Sequence, residues 1–334
     1  MRAFPEELET AALIDCLAEG WGFGVGAVEY APLGGGSYHW VVSERDGTRG
    51  FVTVDDLDRK RWLGDTRESV FDGLRRAFDT TVALRDDGLD FVVAPIPADS
   101  GQTVYRLGPR YSIALFPFVD GDTGRFGQYE AAERIAIETM LAQLHQATAA
   151  VDSVARRIDL DLPGRGDLEA ALLALVDPWS AGPFAEPARQ ALARHASEVW
   201  ELLALADRLR AEVAKRSGAW VITHGEPHAA NVMRTDRGHV LLDWDTAGLA
   251  PPERDLWMLV ADTTAEPVIY TNATGRALES VALDFFRLTW DLADLASFIN
   301  VLRSPHRHNA DTVKAHDGVM HCLTIRDRWV PLLD

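Results

Sequence analysis

The spacing of hydrophobic residues changes character along the chain. In residues 5–19 and 65–84 apolar side chains recur at intervals of three and four, which predicts two helices, the first ending at Gly20. Around the second helix, up to residue 119, short β-branched and aromatic runs alternate with turns, which is typical of strands. The predicted strands are 27–30, 38–43, 50–54, 91–95, 103–107 and 111–119. This part of the chain therefore predicts a mostly antiparallel sheet with a helix packed on it.

After the turn-rich stretch 120–124 the pattern becomes mostly helical. Two short apolar runs, 219–223 and 239–243, predict strands that flank a polar loop. The predicted helices are 129–149, 168–176, 185–215, 277–286 and 288–301. We predict an α+β protein with an N-terminal helix and β-rich lobe at 1–119, an α-rich lobe at 120–334, and ligands bound in the cleft between the lobes.

Acidic residues outnumber basic residues by a wide margin. The 334 residues include 33 Lys and Arg against 51 Asp and Glu, which gives a net charge of −18. This balance disfavours nucleic-acid binding, which needs clustered positive charge, and it disfavours binding to an anionic membrane surface. It fits a cationic ligand, or simply the acidic surface of a soluble protein.

Neither the cysteines nor the first residues indicate a metal cluster or export. Cys16 and Cys322 are isolated, so the sequence has no zinc or iron–sulfur pattern and fits a reducing compartment. The start of the chain lacks the apolar stretch of a signal peptide, and the longest apolar run, 170–176, is too short for a membrane span. We expect a cytoplasmic protein with no nucleic-acid or membrane partner; the sequence does not indicate an oligomeric state.

The candidate chemistry lies in one segment, where a polar loop and a pair of carboxylates follow predicted strands. Glu226, Asn231, Asp243 and Asp245 bring oxygen donors onto these short loops. Oxygen donors suit a hard cation such as Mg²⁺, with phosphate oxygens and water completing its shell. Phosphoryl transfer needs one group that orients and deprotonates a hydroxyl and two groups that hold metal on nucleotide phosphates, and this order of residues can supply them.

The same segment resembles a known family. The sequence HGEPHAAN at 224–231, followed by LLDWD at 241–245, resembles the HGD-x-x-x-x-N and D-W pattern of aminoglycoside phosphotransferases and choline-kinase-like small-molecule kinases, which are relatives of the protein kinases. The resemblance extends over about 31–257. It implies a bilobal protein-kinase-like fold, ATP or GTP as phosphoryl donor, Mg²⁺, and a small-molecule acceptor.

The resemblance also implies a role for each matching residue. Glu226 falls on the catalytic base, and Asn231 and Asp243 fall on the metal ligands. His224 falls on a structural histidine that braces the loop, and Asp255 falls on an acidic brace behind the loop.

Weaker matches extend the resemblance to the nucleotide site. Residues 114–121 resemble the interlobe hinge, which implies that the Pro117 carbonyl and the Val119 N–H bind adenine while Phe116 lies behind it. Proline can serve there because it keeps its carbonyl group. Leu141-Ala142-Gln143-Leu144-His145 resembles the LxxLH helix that precedes the catalytic loop.

A glycine-rich run lies between two predicted strands. It consists of Gly34, Gly35, Gly36 and Ser37. By itself the run is typical of a tight turn; beside the catalytic motif we interpret it as the loop whose backbone N–H groups cover the phosphates.

Two departures from the family pattern affect the site. The base position holds Glu226, which is one methylene longer than Asp but can still accept a proton. The strand position for the phosphate-binding lysine holds Thr53, so we predict that Lys60 or Arg61 folds back to the phosphates. Glu68, at the start of the following helix, would then be the acidic partner of that lysine.

For the acceptor we expect a cationic or sugar-like alcohol, such as an aminoglycoside-type antibiotic or an amino sugar, because the chain is acidic. Asp291 and Asp294 share a helix face, which favours an acidic wall for a cation or else a solvated face. The full set of candidate acceptor-binding residues is His228, Asp245, Glu253, Asp291 and Asp294.

Two alternatives remain open at this point. The missing strand lysine and the change at the base position are compatible with a degenerate kinase fold that binds a nucleotide or ligand without turnover. A protein kinase is disfavoured because no Ala-Pro-Glu element follows Asp255 and no long activation segment follows Asp243.

Overall fold

The computed structural model describes residues 1–5, 7–127, 129–215, 220–260, 267–324 and 329. The strands are β1 Val25–Ala31, β2 Tyr38–Glu44, β3 Arg49–Asp56, β4 Tyr105–Leu107, β5 Tyr111–Pro117, β6 Asp122–Thr123, β7 Val221–Thr223, β8 Val232–Thr235, β9 Gly238–Leu241 and β10 Gly248–Ala250. The α-helices are α1 Thr10–Trp21, α2 Arg67–Asp86, α3 Ala131–Gln146, α4 Thr148–Val151, α5 Arg165–Leu173, α6 Ala185–Arg194, α7 Ala196–Lys215, α8 Glu253–Val260, α9 Val268–Thr274, α10 Ser280–Arg303 and α11 Ala310–Thr324.

The chain divides into two compact units. One contains Met1–Ile158 with Gly218–Leu278, and the other contains Asp159–Ser217 with Glu279–Asp334. The predicted combination of a β-rich N-terminal part and a helical C-terminal part is confirmed. The lobe boundary predicted at residue 119 lies inside the first unit and stays a prediction.

A five-stranded antiparallel sheet forms the N-terminal part, in the order β1-β2-β3-β5-β4. Along β3 the side chains alternate between its two faces. Val52 and Val54 join a core with Leu13 and Leu17 of α1. Leu74 of α2 packs in a separate core that also contains Ala114 of β5. The helix predicted at 65–84 is therefore α2, and it begins after Thr66 because the Thr66 hydroxyl accepts the Ser69 N–H.

Four expectations about individual elements are corrected. The helix predicted from residue 5 begins at Thr10, after a turn in which the Leu8 N–H bonds the Pro5 carbonyl. Residues 91–95 form no strand, because only Val92 makes a single bridge, to Leu241. The helices predicted at 277–286 and 288–301 are one helix, α10, since no Gly or Pro interrupts them. The helix predicted at 185–215 is divided at His195 into α6 and α7.

Short strands hold the loops that carry the candidate chemistry. β7 pairs with β10, and β8 forms a hairpin with β9. Residues 224–231 therefore leave β7, and residues 242–247 lie between β9 and β10. The two loops are joined directly, because the Leu242 N–H donates to the Asn231 carbonyl at 2.8 Å.

The second unit is built from α5, α6, α7, α10 and α11. Their apolar faces share one core, which includes Leu168, Leu192, Leu203, Ile299 and Val319. In neither unit does any described helix have the length and apolar character needed to cross a bilayer.

Candidate active site

A buried carboxylate holds the start of the 224–231 loop. Asp255, in the first turn of α8, accepts the backbone N–H of His224 at Oδ2 (2.9 Å) and that of Gly225 at Oδ1 (2.6 Å). His145 of α3 lies 3.0 Å from the same Oδ2 through its Nε2. Burial opposes ionisation of Asp255, but His145 and Arg254 more than offset it, and the pKa of Asp255 lies below its usual range. The start of the loop is therefore held by an ionised carboxylate whose two oxygens both accept hydrogen bonds.

His224 joins the two loops as a neutral side chain. Its Nε2 donates to the Leu242 carbonyl at 2.8 Å, so Nδ1 is the acceptor of the Glu226 backbone N–H at 3.1 Å. Burial lowers the pKa of His224 to about 4. These are contacts of a bracing residue, and they leave no nitrogen of the ring for proton transfer to a substrate.

Only glycine fits between His224 and Glu226. Gly225 has a φ of 100°, in the region that side chains rarely adopt. A Cβ atom there would overlap the partly buried Arg254 guanidinium, which donates to Thr223 Oγ1 at 2.8 Å and to the Thr246 carbonyl at 3.0 Å. The backbone thus turns sharply, and the next side chain, Glu226, emerges partly exposed to solvent.

Glu226, His228 and Asn231 lie together on the loop. His228 Nε2 is 4.0 Å from Glu226 Oε2, and the His228 ring meets Phe126 edge-on at 4.8 Å between centroids. Asn231 donates from Nδ2 to the Glu226 carbonyl at 3.0 Å. Because the Asn231 amide nitrogen is used in this way, its Oδ1 is the atom that can ligate a cation.

Asp243 has an unusual backbone conformation. Its φ is 61°, and it is the sole non-glycine residue with positive φ in the part of the chain that the structure describes. Such strain concentrates at functional sites, where surrounding contacts hold it. Loss of hydration within the site and, next, the neighbouring Asp245 carboxylate raise the pKa of Asp243.

Lys60 folds back from the turn after β3 into this group of carboxylates. Its Nζ lies 2.9 Å from Asp55 Oδ1 and is also ion-paired with Asp245 Oδ2. Burial opposes the charge on Lys60, but Asp245, Asp55 and Asp243 outweigh it, so the pKa of Lys60 is well above its usual value. Arg61 is exposed instead. Of the two cations predicted to approach the phosphates, Lys60 is the one beside the candidate metal ligands.

The prediction that Glu68 is the acidic partner of this lysine is wrong. Glu68, on the first turn of α2, is exposed and pairs with Arg106 at 2.7 Å. Lys60 has no need of it, because Asp55 and Asp245 already neutralise the ammonium group. Asp245, predicted as an acceptor-binding residue, is thus engaged by Lys60.

The glycine-rich run approaches the same ammonium group. Gly34 has a φ of 63°, as a loop between β1 and β2 requires. A Cβ atom on Gly36 would come within 3.9 Å of Lys60 Nζ, and Ser37 Oγ donates to Asp55 Oδ1 at 2.6 Å. Gly35 lies exposed between them.

The predicted hinge, 114–121, includes the end of β5 and the residues that follow it. Phe116 is partly buried and meets Phe78 of α2 edge-on at 5.5 Å between centroids. Pro117 ends the strand opposite Gly50 of β3, and Val119 lies in the connection between β5 and β6.

The remaining acceptor candidates are divided between the two units. His228 and Glu253 belong to the first unit, and Asp291 and Asp294 belong to the second. Glu253 is buried at the start of α8. Asp291 is buried and accepts the Trp329 indole N–H at 2.9 Å, so the alternative of a solvated face does not hold for it. Burial, and secondarily Asp291, raise the pKa of Asp294 to about 7.

Two site residues were missed by sequence reasoning. Asp55 follows Thr53 by two positions, so it faces the same side of β3, and a charged residue at a buried strand position was the available signal. No signal in the sequence indicated Arg254, because its close contact with Gly225 depends on tertiary packing.

The donor chemistry fits a divalent cation bound together with a nucleotide. Among the described residues no group of three or more His, Cys, Asp or Glu side chains is arranged to hold a metal alone. Asp243, Asp245 and Asp55 nevertheless place three carboxylates around the Lys60 ammonium group, and Asp55 Oδ2 is buried without a hydrogen bond among the described residues. This excess of negative charge and oxygen donors suits Mg²⁺ when phosphate oxygens complete the shell.

Comparison with known proteins identifies the family. A sequence profile described as APH, phosphotransferase enzyme family, matches residues 47–291. The chain belongs to the APH phosphotransferase family. The resemblance drawn from the catalytic motif is thereby confirmed, and so is the interpretation as an enzyme that transfers a phosphoryl group to an alcohol group of a small molecule.

Individual relatives agree with this assignment. The phosphotransferase is 29% identical over 247 residues to Protein StrN of Streptomyces griseus, covering 70% of this chain and 72% of the relative. Its fold is similar to that of spectinomycin phosphotransferase APH(9)-Ia, solved with ADP and spectinomycin, with a TM-score of 0.73, 15% identity and coverage of 96% and 98% of the two chains. A microcompartment-associated aminopropanol kinase gives a TM-score of 0.61, 15% identity and coverage of 97% and 98%. The kinase-like fold is confirmed by these structures.

Proposed function

We propose that this phosphotransferase moves the γ-phosphoryl group of ATP or GTP to a hydroxyl group of a cationic or sugar-like small molecule. The observation that carries the proposal is the convergence of Glu226, Asn231, Asp243 and Lys60 within one unit of the fold. These residues supply a base, oxygen ligands and a cation, which are the parts that phosphoryl transfer requires.

Each residue has a defined part in the proposed reaction. The partly exposed Glu226 carboxylate orients the acceptor hydroxyl and takes its proton. The acceptor oxygen forms a bond to the γ-phosphorus in line with the bond to the β-phosphate, which breaks, and the nucleoside diphosphate leaves. Lys60 stabilises the negative charge on the phosphates, and the backbone N–H groups of Gly34 to Ser37 cover them.

Asn231 Oδ1 and the Asp243 carboxylate would hold Mg²⁺. The metal, when bound, neutralises charge on the nucleotide phosphates. Asp243 would have to be deprotonated to bind the metal. The hydrogen bond from Asn231 Nδ2 to the Glu226 carbonyl keeps the amide oxygen of Asn231 turned away from the loop backbone.

The adenine or guanine base would lie at the hinge. In this proposal the Pro117 carbonyl and the Val119 N–H bind the base edge, and Phe116 lies behind the ring. Phe116 is held by its edge contact with Phe78, so it offers a fixed apolar surface.

A cationic acceptor is supported by charge. The net charge of −18 raises the local concentration of cations and disfavours anionic alcohols. Aminopropanol, in the name of one structural relative, carries an amino group. His228, beside Glu226, and Glu253 in the same unit are the proposed acceptor contacts. We also propose a cytoplasmic location.

Calorimetric titration tests the nucleotide site directly. The protein is titrated with ATP and GTP, each with and without Mg²⁺, beside Asp243→Asn. Binding that requires Mg²⁺ and is lost in the variant supports the proposal; binding that is equal in both proteins contradicts the metal assignment.

Mass-spectrometric screening of amino alcohols, amino sugars and aminoglycosides for a gain of one phosphoryl group then tests the acceptor class. A product profile confined to neutral or anionic alcohols contradicts the cationic acceptor.

A further inference from the structure

The carboxylate of Asp55 occupies a central place that the catalytic motif does not explain. It is fully buried at the end of β3, on the strand face shared with Phe51 and Thr53. Thr53 is where the family resemblance places a lysine, and its hydroxyl instead lies 3.3 Å from His39 Nδ1 on β2. The cation at this face comes from Lys60, and the nearest acid on the strand is Asp55.

One oxygen of Asp55 connects two separate parts of the proposed phosphate site. Asp55 Oδ1 accepts from Lys60 Nζ at 2.9 Å and from Ser37 Oγ at 2.6 Å. Ser37 is the last residue of the glycine-rich run, and a Cβ atom on Gly36 would be 3.9 Å from Lys60 Nζ. The same carboxylate oxygen therefore contacts both the Lys60 ammonium group and the end of the glycine-rich loop.

The second carboxylate oxygen of Asp55 differs from the first in its hydrogen bonding. Asp55 Oδ2 has no hydrogen-bond partner among the described residues, although it is buried. Ser112, opposite Asp55 in the register of β3 with β5, also has a buried hydroxyl without a partner in this part of the structure. Leaving a buried carboxylate oxygen unbonded is destabilising, so a role confined to holding the fold together does not explain an Asp at this position.

We propose that Asp55 is the positioning residue of the nucleotide site, holding the Lys60 ammonium group and the end of the glycine-rich loop in place for the triphosphate. The inference rests on the proposed function. Asp55 takes the place of an acidic partner on helix α2, since Glu68 pairs with Arg106 instead. Asp245 supplies the second contact of Lys60, but it lies on the loop that carries Asp243, whereas Asp55 ties Lys60 to the sheet.

The test is a double-mutant cycle on nucleotide affinity. Asp55→Asn, Lys60→Met and the double variant are titrated with Mg·ATP and Mg·GTP, and kcat and KM are measured with an acceptor found by screening. Asp55→Asn is expected to weaken nucleotide affinity about tenfold, or about 1.4 kcal/mol, with KM changed more than kcat. In the Lys60→Met background the same change should have less than about a twofold effect, because Asp55 acts through Lys60.

Asp56→Asn is the matched control. Asp56 is the next residue, equally buried, but it pairs with Arg110 at 2.7 Å and not with Lys60. It should lose stability and keep the nucleotide affinity of the folded protein. Since Asp55 is buried, Ser37→Ala serves as a second variant that leaves the Lys60 pair in place, and it should weaken affinity about threefold by loss of one hydrogen bond.

The outcomes separate the two proposals. Wild-type protein that binds neither nucleotide overturns both. Two results overturn the role of Asp55 and leave the proposed function intact. In the first, the wild type binds nucleotide and Asp55→Asn binds it with unchanged affinity. In the second, Asp55→Asn weakens nucleotide affinity equally whether residue 60 is Lys or Met. Unchanged affinity in Ser37→Ala overturns the link to the glycine-rich loop.

Discussion

His145 Nε2 lies 3.0 Å from Asp255 Oδ2, although the two residues are 110 positions apart in the chain. On its other side the His145 ring contacts the Tyr270 hydroxyl at 2.8 Å through Nδ1. His145 thus bridges Asp255 and Tyr270, so three buried side chains form one hydrogen-bonded series. The series ends at the backbone N–H groups of His224 and Gly225. The catalytic loop is thus held by a helix, α3, and by the start of another, α8.

Replacing Asp255 should therefore damage the fold and the site together. All the donors around it are N–H groups, so the amide nitrogen of Asp255→Asn would face a donor in either orientation. We expect the free energy of unfolding to fall by about 3 kcal/mol, the cost typical of disrupting a buried charged network, and turnover to fall with it. Urea denaturation measures the change. Asp236→Asn, in an exposed turn, removes the same charge and should change stability by less than about 0.5 kcal/mol.

Lys60 and Arg61 should differ sharply in function. Lys60→Met removes a buried cation beside the candidate metal ligands, and we expect the KM for Mg·ATP to rise at least about tenfold. Arg61→Met changes an exposed side chain and should leave KM within about twofold. Steady-state kinetics over a range of nucleotide concentrations measures both. Equal effects of the two substitutions, or an unchanged KM in Lys60→Met, would contradict the assignment of the phosphate contact.

Glu226 should affect turnover and not nucleotide binding. Glu226→Gln keeps the size of the side chain but cannot take a proton, so kcat should fall by about 100-fold or more. Glu226→Asp restores the residue usual in the family and should retain more activity than the Gln variant. Nucleotide affinity, measured by calorimetry, is the internal control. A Gln variant with wild-type kcat would show that Glu226 is not the base.

The sequence predicted those parts of the fold whose signals are local. The spacing of Val70, Leu74 and Phe78 was sufficient to place α2, because one apolar face repeats every turn. The strand predicted at 91–95 is wrong because an apolar run does not show whether a partner strand is available, and Val92 finds only a single bridge to Leu241. The break predicted within α10 is wrong because no residue there stops a helix.

The same distinction holds for the site. Glu226, Asn231 and Asp243 were predicted because they follow one another in a short motif, although their roles stay predictions. The acid beside Lys60 was not predicted: Asp55 is separated from it by only a turn, but its contact depends on which way that turn folds back. Glu68 was predicted as the partner of Lys60 by analogy with the family, but in the structure it pairs with Arg106.

Acid should weaken the fold through His224. The native pKa of His224 is about 4 and its ordinary value is 6.5, so between these pH values the unfolded chain binds a proton that the native protein does not. The free energy of unfolding therefore falls as pH falls from 6.5 to about 4, by about 3 kcal/mol in total from this residue. Above pH 6.5 the contribution of His224 to stability is complete.

Urea denaturation between pH 7 and pH 4.5 measures this dependence. In His224→Gln the side chain cannot take up a proton, so the variant should be less stable at pH 7 but show a shallower loss of stability with acid. His39 has a native pKa lowered to about 3 by burial, so it acts in the same direction, and His39→Gln separates its share. Equal slopes for the wild type and His224→Gln would mean that His224 is not held neutral, and then its Nε2–Leu242 and Nδ1–Glu226 contacts could not both be as the structure shows.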